Sequence, residues 1–129
     1  MKLEICIDVD DVDRVVEFYG RGLGLTVVEH RPEWAKVMLE HQTFWIMKIP
    51  AGPKGQIVRD YRRHWTPVHL DFIVDDIDSA VRRALDAGGR LDRDIQRGDP
   101  EPGNPASVDL ANLSDPAGNG VDLVQRKQS

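Results

Sequence analysis

The chain carries one pattern twice, at an offset of 65 residues that takes Glu4 to His69 and Asp11 to Asp76. In the first copy Leu3, Ile5, Ile7 and Val9 alternate with Glu4, Cys6 and Asp8, the two-residue period of a strand with unlike faces. Asp11 follows as an N-cap, then Val12, Val15, Val16 and Tyr19 come at helical spacing, and Gly20, Gly22 and Gly24 end the helix. In the second copy Val68, Leu70, Phe72 and Val74 alternate with His69, Asp71 and Ile73. Asp76 then caps a helix with the stripe Ile77, Ala80, Val81, Ala84 and Leu85, closed by Gly88 and Gly89.

After each helix come short extended runs separated by turn signals, at 25–30, 34–39 and 43–49, and again at 90–96, 107–113 and 120–125. Each half therefore reads βαβββ, and the fold class is α+β, two βαβββ modules forming a cupped mixed sheet. One domain spans 1–129: module one covers 1–49, a linker rich in Gly, Pro and Arg covers 50–66, and module two covers 67–129. A second Pro- and Gly-rich stretch, 98–105, reads as a long loop between strands, of the kind that often carries function. A chain of 129 residues is long enough to bury roughly two thirds of its extended surface without a staple.

Charge and composition narrow the function classes. The net charge of -5 opposes nucleic-acid binding, and the cluster Arg59, Arg62 and Arg63 reads as a solvated segment or an anion contact. No run approaches the roughly 18 apolar residues of a membrane span, and the early acids Glu4, Asp8, Asp10 and Asp11 prevent a signal-peptide core. The lone Cys6 excludes an intrachain disulfide, so a reduced, cytoplasmic protein is expected. The expected partner is a small molecule, with neither nucleic acid nor membrane involved.

Strand alternation sorts the candidates for a site. If the helices cover Leu3, Ile5, Ile7 and Val9, then Glu4, Cys6 and Asp8 face the other way, with His69 and Asp71 on the matching face of module two. In the last strand Val121 and Leu123 share the core face, which leaves Asp122 opposite. Cys6 reads as a small buried hydrophobe, and His30, His41 and His64 read as surface residues. Trp45 falls on the pocket face and can stack on a flat ligand, whereas Trp34 and Trp65 suit a core or an interface.

The segments Val9 to Val12, Phe18-Tyr19, Gly22 to Leu25, His69 to Phe72 and Asp115 to Asn119 resemble the vicinal-oxygen-chelate superfamily, which includes lactoylglutathione lyase, the bleomycin-resistance proteins and the extradiol dioxygenases. The resemblance implies metal ligands on the first and last strand of each half. Carried over by position these are Glu4, Trp45, His69 and Asp122. Trp45 cannot ligate, so the expected set is Glu4, His69 and Asp122, suited to Mn, Fe, Zn or Mg with open positions for a chelating substrate. Trp45 and Asp71 are the expected substrate contacts.

Two functions follow from the resemblance. One is a metal-dependent lyase, isomerase or dioxygenase that chelates vicinal oxygens; the other is a metal-free, bleomycin-resistance-type protein that sequesters a drug or metabolite. The family also pairs open sheet edges between chains, which implies a homodimer.

Overall fold

The alternation of Leu3 to Val9 becomes β1 (Ile5–Val9), whose Ile7 and Val9 are buried while Cys6 is exposed. The computed structural model describes residues 1–54, 57–64, 66–99, 104 and 107–127. Leu3 lies outside β1 and is exposed, so the strand begins two residues later than the alternation predicts.

Both N-caps form as expected. The Asp11 carboxylate accepts from the Arg14 amide at 3.2 Å to open α1 (Val12–Glu17), and Asp76 accepts from Ser79 at 3.2 Å to open α2 (Ile77–Asp86). Each cap of this kind is worth about 1 kcal/mol. Beyond Glu17 the backbone widens into a π-type turn over Phe18–Gly22. This turn buries Phe18 and Tyr19 together, with their rings edge to face at 5.0 Å. Gly22 is required here, because a Cβ would lie 2.9 Å from the Ala87 Cβ of the neighbouring helix end. In α2 the stripe Ile77, Ala80, Val81 and Ala84 is buried, but Leu85 is largely exposed and Ala87 takes the inward place.

The remaining strands are β2 (Thr26–His30), β3 (Trp34–Leu39), β4 (Gln42–Lys48), β5 (Gly52–Lys54), β6 (Ile57–Arg59), β7 (Leu70–Ile73), β8 (Arg90–Leu91), β9 (Val108–Ser114) and β10 (Gly120–Arg126). They build two four-stranded sheets of one topology, β1-β4-β3-β2 and β7-β10-β9-β8. In each sheet the first strand runs parallel to the last, and the other pairs are antiparallel. The repeat in the sequence is thus a repeat in the architecture, and the cupped sheet consists of two halves with no strand paired between them among the described residues.

Two stretches depart from expectation. The linker 50–66 contains a hairpin, β5 with β6, and the run expected at 90–96 shrinks to the two residues of β8 plus a single bridge from Gln96 to Leu110. Trp65 and most of the loop 98–105 lie outside the described residues. No helix among the described residues is long and apolar enough to cross a membrane.

One hydrophobic core joins the modules. Val9, Val15 and Ile46 of module one and Ile77, Leu113 and Leu123 of module two are fully buried in it, and Phe44 stacks on Phe72 at 6.1 Å. A polar latch reinforces the junction. The Tyr19 hydroxyl, from the π-type turn, donates at 2.8 Å to Asp115 in the turn between β9 and β10. Asp115 is itself buried and also accepts from the Ala117 and Asn119 amides and the Asn119 side chain. Burial pushes the Asp115 carboxyl up against the pull of these donors, and burial followed by the nearby carboxylate pushes the Tyr19 phenol well up.

Candidate metal-binding and ligand site

β7 and β10 run parallel with Asp71 beside Asp122, and His69 precedes Asp71 by two residues on the same face. Alternation plus register therefore brings three ligand-type side chains together on the open face of the second sheet. One donor atom from each lies within 4.8 Å of the others. The His69 Nδ1 is 2.9 Å from Asp71 Oδ1 and 3.3 Å from Asp122 Oδ2. His69 and Asp71 are exposed, whereas the Asp122 side chain is mostly covered.

An imidazole nitrogen between two carboxylates either donates its N–H to them or, as a bare nitrogen, joins them as a ligand around a cation. One neutral nitrogen and two carboxylate oxygens suit a hard or borderline divalent ion. The residues present thus fit the metal that the fold implies.

Glu4 and Trp45 lie together on the other sheet. Trp45 pairs with Cys6 across β1 and β4, and its indole N–H donates to the Glu4 carboxylate. That bond, followed by Lys2 at 3.2 Å, holds the Glu4 carboxyl below the usual range. The Trp45 ring meets Trp34 edge-on at 5.8 Å, with the Lys36 ammonium 5.5 Å above it. Among the described residues Glu4 is not in the His69 group.

Two cavities adjoin the cluster. The smaller, about 390 Å³, is lined by His69 and Asp122 together with Arg63, Asp92, Arg93 and Asn112. The larger, about 710 Å³, runs between β1 and β7 beneath the β5–β6 hairpin, and its wall includes Cys6, Asp8, Val58, Tyr61 and Leu70. Arg59, on the same wall, pairs with Asp8 at 2.5 Å. Trp45 lines neither cavity, and Cys6, expected to be buried, is exposed on the wall of the larger one.

Sequence reasoning overlooked Asn112 and Arg93. Asn112 stands opposite Asp122 in the β9–β10 ladder and donates to its carboxylate at 2.8 Å, while its amide oxygen accepts from Arg93 at 3.0 Å. The signal was present in the alternation of β9, but reading it requires the register. Arg63, from the cluster read as a solvated segment or an anion contact, forks onto the Asp92 carboxylate at 2.8–3.2 Å. That pairing holds its guanidinium above the usual range. The segment carrying Arg63 packs over Gly118, whose φ of +90° and close approach to the Arg62 backbone both exclude a side chain.

Comparison with known proteins agrees with this architecture. The glyoxalase-like domain family matches residues 4–124. No curated protein matches the chain by sequence. A glyoxalase-related enzyme from Fulvimarina pelagi superposes with a TM-score of 0.71 at 17% identity, covering 98% of this chain and 89% of that one. A glyoxalase/bleomycin resistance protein/dioxygenase from Alicyclobacillus acidocaldarius gives 0.66 at 17% identity, covering 99% and 92%. A genomically encoded fosfomycin resistance protein from Listeria monocytogenes gives 0.69 at 12% identity, covering 100% and 93%. At these identities the structural likeness speaks for the fold alone.

Proposed function

Because the chain belongs to the glyoxalase-like domain family of the vicinal-oxygen-chelate superfamily, we propose that it is a metal-dependent enzyme of the lyase, isomerase or dioxygenase kind. It acts on a small molecule held at the open face of the second sheet. The observation that carries this reading is the convergence of His69, Asp71 and Asp122 within 4.8 Å. A divalent ion such as Mn²⁺, Fe²⁺, Zn²⁺ or Mg²⁺ would supply Lewis-acid stabilisation to two neighbouring substrate oxygens. His69 and Asp122 hold the ion, Asp71 adds a carboxylate, and Asn112 fixes the orientation of Asp122.

Assembly belongs to the same proposal. Ile73, 54% exposed, shares the open face with His69 and Asp71, and Val68, which precedes His69 in the chain, is 83% exposed. An apolar margin of this kind around a polar site favours cover by another surface. We assign that cover to a second copy in a homodimer, with Glu4 of the second copy as a further carboxylate for the ion and its Trp45 as a wall for a flat substrate. With one exposed cysteine and no disulfide among the described residues, the reducing cytoplasm is the fitting compartment.

Isothermal titration calorimetry with Mn²⁺ and Zn²⁺ tests the reading. Saturable uptake at pH about 7.5 that weakens at about 5.5 is expected, because a ligating imidazole competes with protons. Light scattering should give twice 14.6 kDa. Absence of uptake at both pH values would instead support a sequestering protein, which the larger and partly apolar cavity between the modules favours.

A further inference from the structure

Arg63 and Arg93 both border the smaller cavity, but their surroundings differ. Arg63 is neutralised by its fork onto Asp92. Arg93 is held by neutral acceptors: the Asn112 amide oxygen at 3.0 Å and, with the Gln96 amide turned to present its oxygen, Gln96 at 2.8 Å. Among the described residues it has no carboxylate within ion-pair distance. Two amides thus orient the guanidinium without cancelling its charge.

Asn112 makes this arrangement specific to the site. Its oxygen accepts from Arg93 and its nitrogen donates to Asp122, so one side chain ties the free cationic group to the carboxylate cluster. The charges then decide what fits between them. With Arg63 and Asp92 cancelling, Arg93 faces the two carboxylates of Asp71 and Asp122, which leaves the region with one surplus negative charge. Glu4 of the second copy, as a further ligand, brings this to two surplus negative charges, and a divalent ion on the cluster brings it to zero. Loading the metal thus removes the repulsion that the empty cavity presents to an anion and leaves Arg93 to attract one.

We infer that the cavity between Arg93 and the His69–Asp71–Asp122 cluster takes a small oxyanion, a carboxylate or a tetrahedral phosphate-like group. Arg93 binds it at one end and the metal-bearing cluster at the other, so metal and anion each strengthen the binding of the other. This rests on the metal reading above and adds the substrate class and the coupling to it. A guanidinium suits both anion types, since its parallel N–H groups match paired oxygens.

The test uses the wild-type protein and two variants, Arg93→Gln and Arg93→Lys, each first shown by circular dichroism to melt as the wild type does. Mn²⁺ is titrated alone, and then sulfate and acetate are titrated with and without saturating Mn²⁺. Sulfate stands for tetrahedral anions and acetate for carboxylates. At least one anion should bind wild type about 5–150-fold tighter with Mn²⁺ present, the usual span of such coupling. Which of the two does so names the ligand type. Arg93→Gln should erase the anion term while keeping Mn²⁺ uptake, and Arg93→Lys should restore part of it. Mn²⁺ uptake without any gain in anion affinity, or full anion binding by Arg93→Gln, overturns the inference and leaves the metal reading standing. No Mn²⁺ uptake by wild type overturns both.

Discussion

Equivalent positions on the two open faces hold different chemistry. Where the first sheet has Glu4, Cys6, Lys36 and Trp45, the second has His69, Asp71, Asn112 and Asp122. The first face closes on itself, with indole bonded to carboxylate, indole edge-on to indole, and ammonium over the ring. The second leaves an imidazole and two carboxylates pointing at one another beside a cavity. The duplicated backbone sets where side chains meet. A few residues then decide whether the meeting place is occupied by the protein itself or open to an ion and a ligand.

The turns that close the two sheets differ in the same way, and this gives the largest predicted effect. Asp115 in the β9–β10 turn is a buried acceptor for Tyr19, Ala117 and Asn119, whereas the β3–β4 turn is made by exposed Glu40 and His41. Asp115→Ala should lower stability by about 3 kcal/mol or more, at roughly 1–3 kcal/mol for each buried donor left without its acceptor. Glu40→Ala should change it by no more than about 0.5 kcal/mol, as ordinary surface changes do. Urea denaturation of the pair gives the contrast directly, and equal losses would dissolve the distinction between the two turns.

Next in size is the aromatic face. Trp45→Ala should cost about 1–3 kcal/mol through the lost edge-on and cation–π contacts. Metal affinity per site should fall far less than in His69→Ala, where a drop of more than about 100-fold is expected. Should Trp45→Ala match His69→Ala in lost metal affinity, the two faces do not divide the work as described.

Tyr19→Phe should cost about 1–2 kcal/mol, the loss of one buried hydrogen bond. Its pH signature is sharper than its size. A phenol whose folded value lies well above the ordinary 10.0 contributes stability in full below that value, and this is lost as pH rises beyond it, because the unfolded chain releases the proton first. The wild-type melting temperature should therefore fall above pH about 10, and the fall should flatten in Tyr19→Phe. The smallest effect belongs to Glu40, whose φ of 53° is the left-handed conformation. Glu40→Gly should stabilise by about 0.5–1 kcal/mol in the same denaturation series.

Most of the architecture was legible in the sequence, because strand period, N-caps and the 65-residue repeat are local signals that packing reinforced. The β5–β6 hairpin was not, since Pro53 and neighbouring glycines at 52 and 55 read as linker punctuation, and what pairs them is long-range geometry. His69, Asp71 and Asp122 were legible as residues of one face. The partnership of Glu4 with Trp45 was not, because it depends on which side chain reaches which across β1 and β4. Asn112 and Arg93 escaped for a similar reason: a half-buried amide and an exposed arginine carry no local signature, and their meaning comes from the ladder that sets Asn112 opposite Asp122.

The central claim is that the second sheet's open face, as distinct from other acidic surface, receives a divalent ion. Paramagnetic broadening by substoichiometric Mn²⁺ in the amide nitrogen–proton spectrum tests it most directly, since signals near the ion vanish first. The amides of His69, Asp71, Asn112 and Asp122, together with that of Glu4 from the second copy, should be lost before those elsewhere, and His69→Ala should keep them visible. If broadening starts instead at the acidic run Asp10, Asp11 and Asp13, or spreads evenly without saturating, the site is misplaced and the account fails.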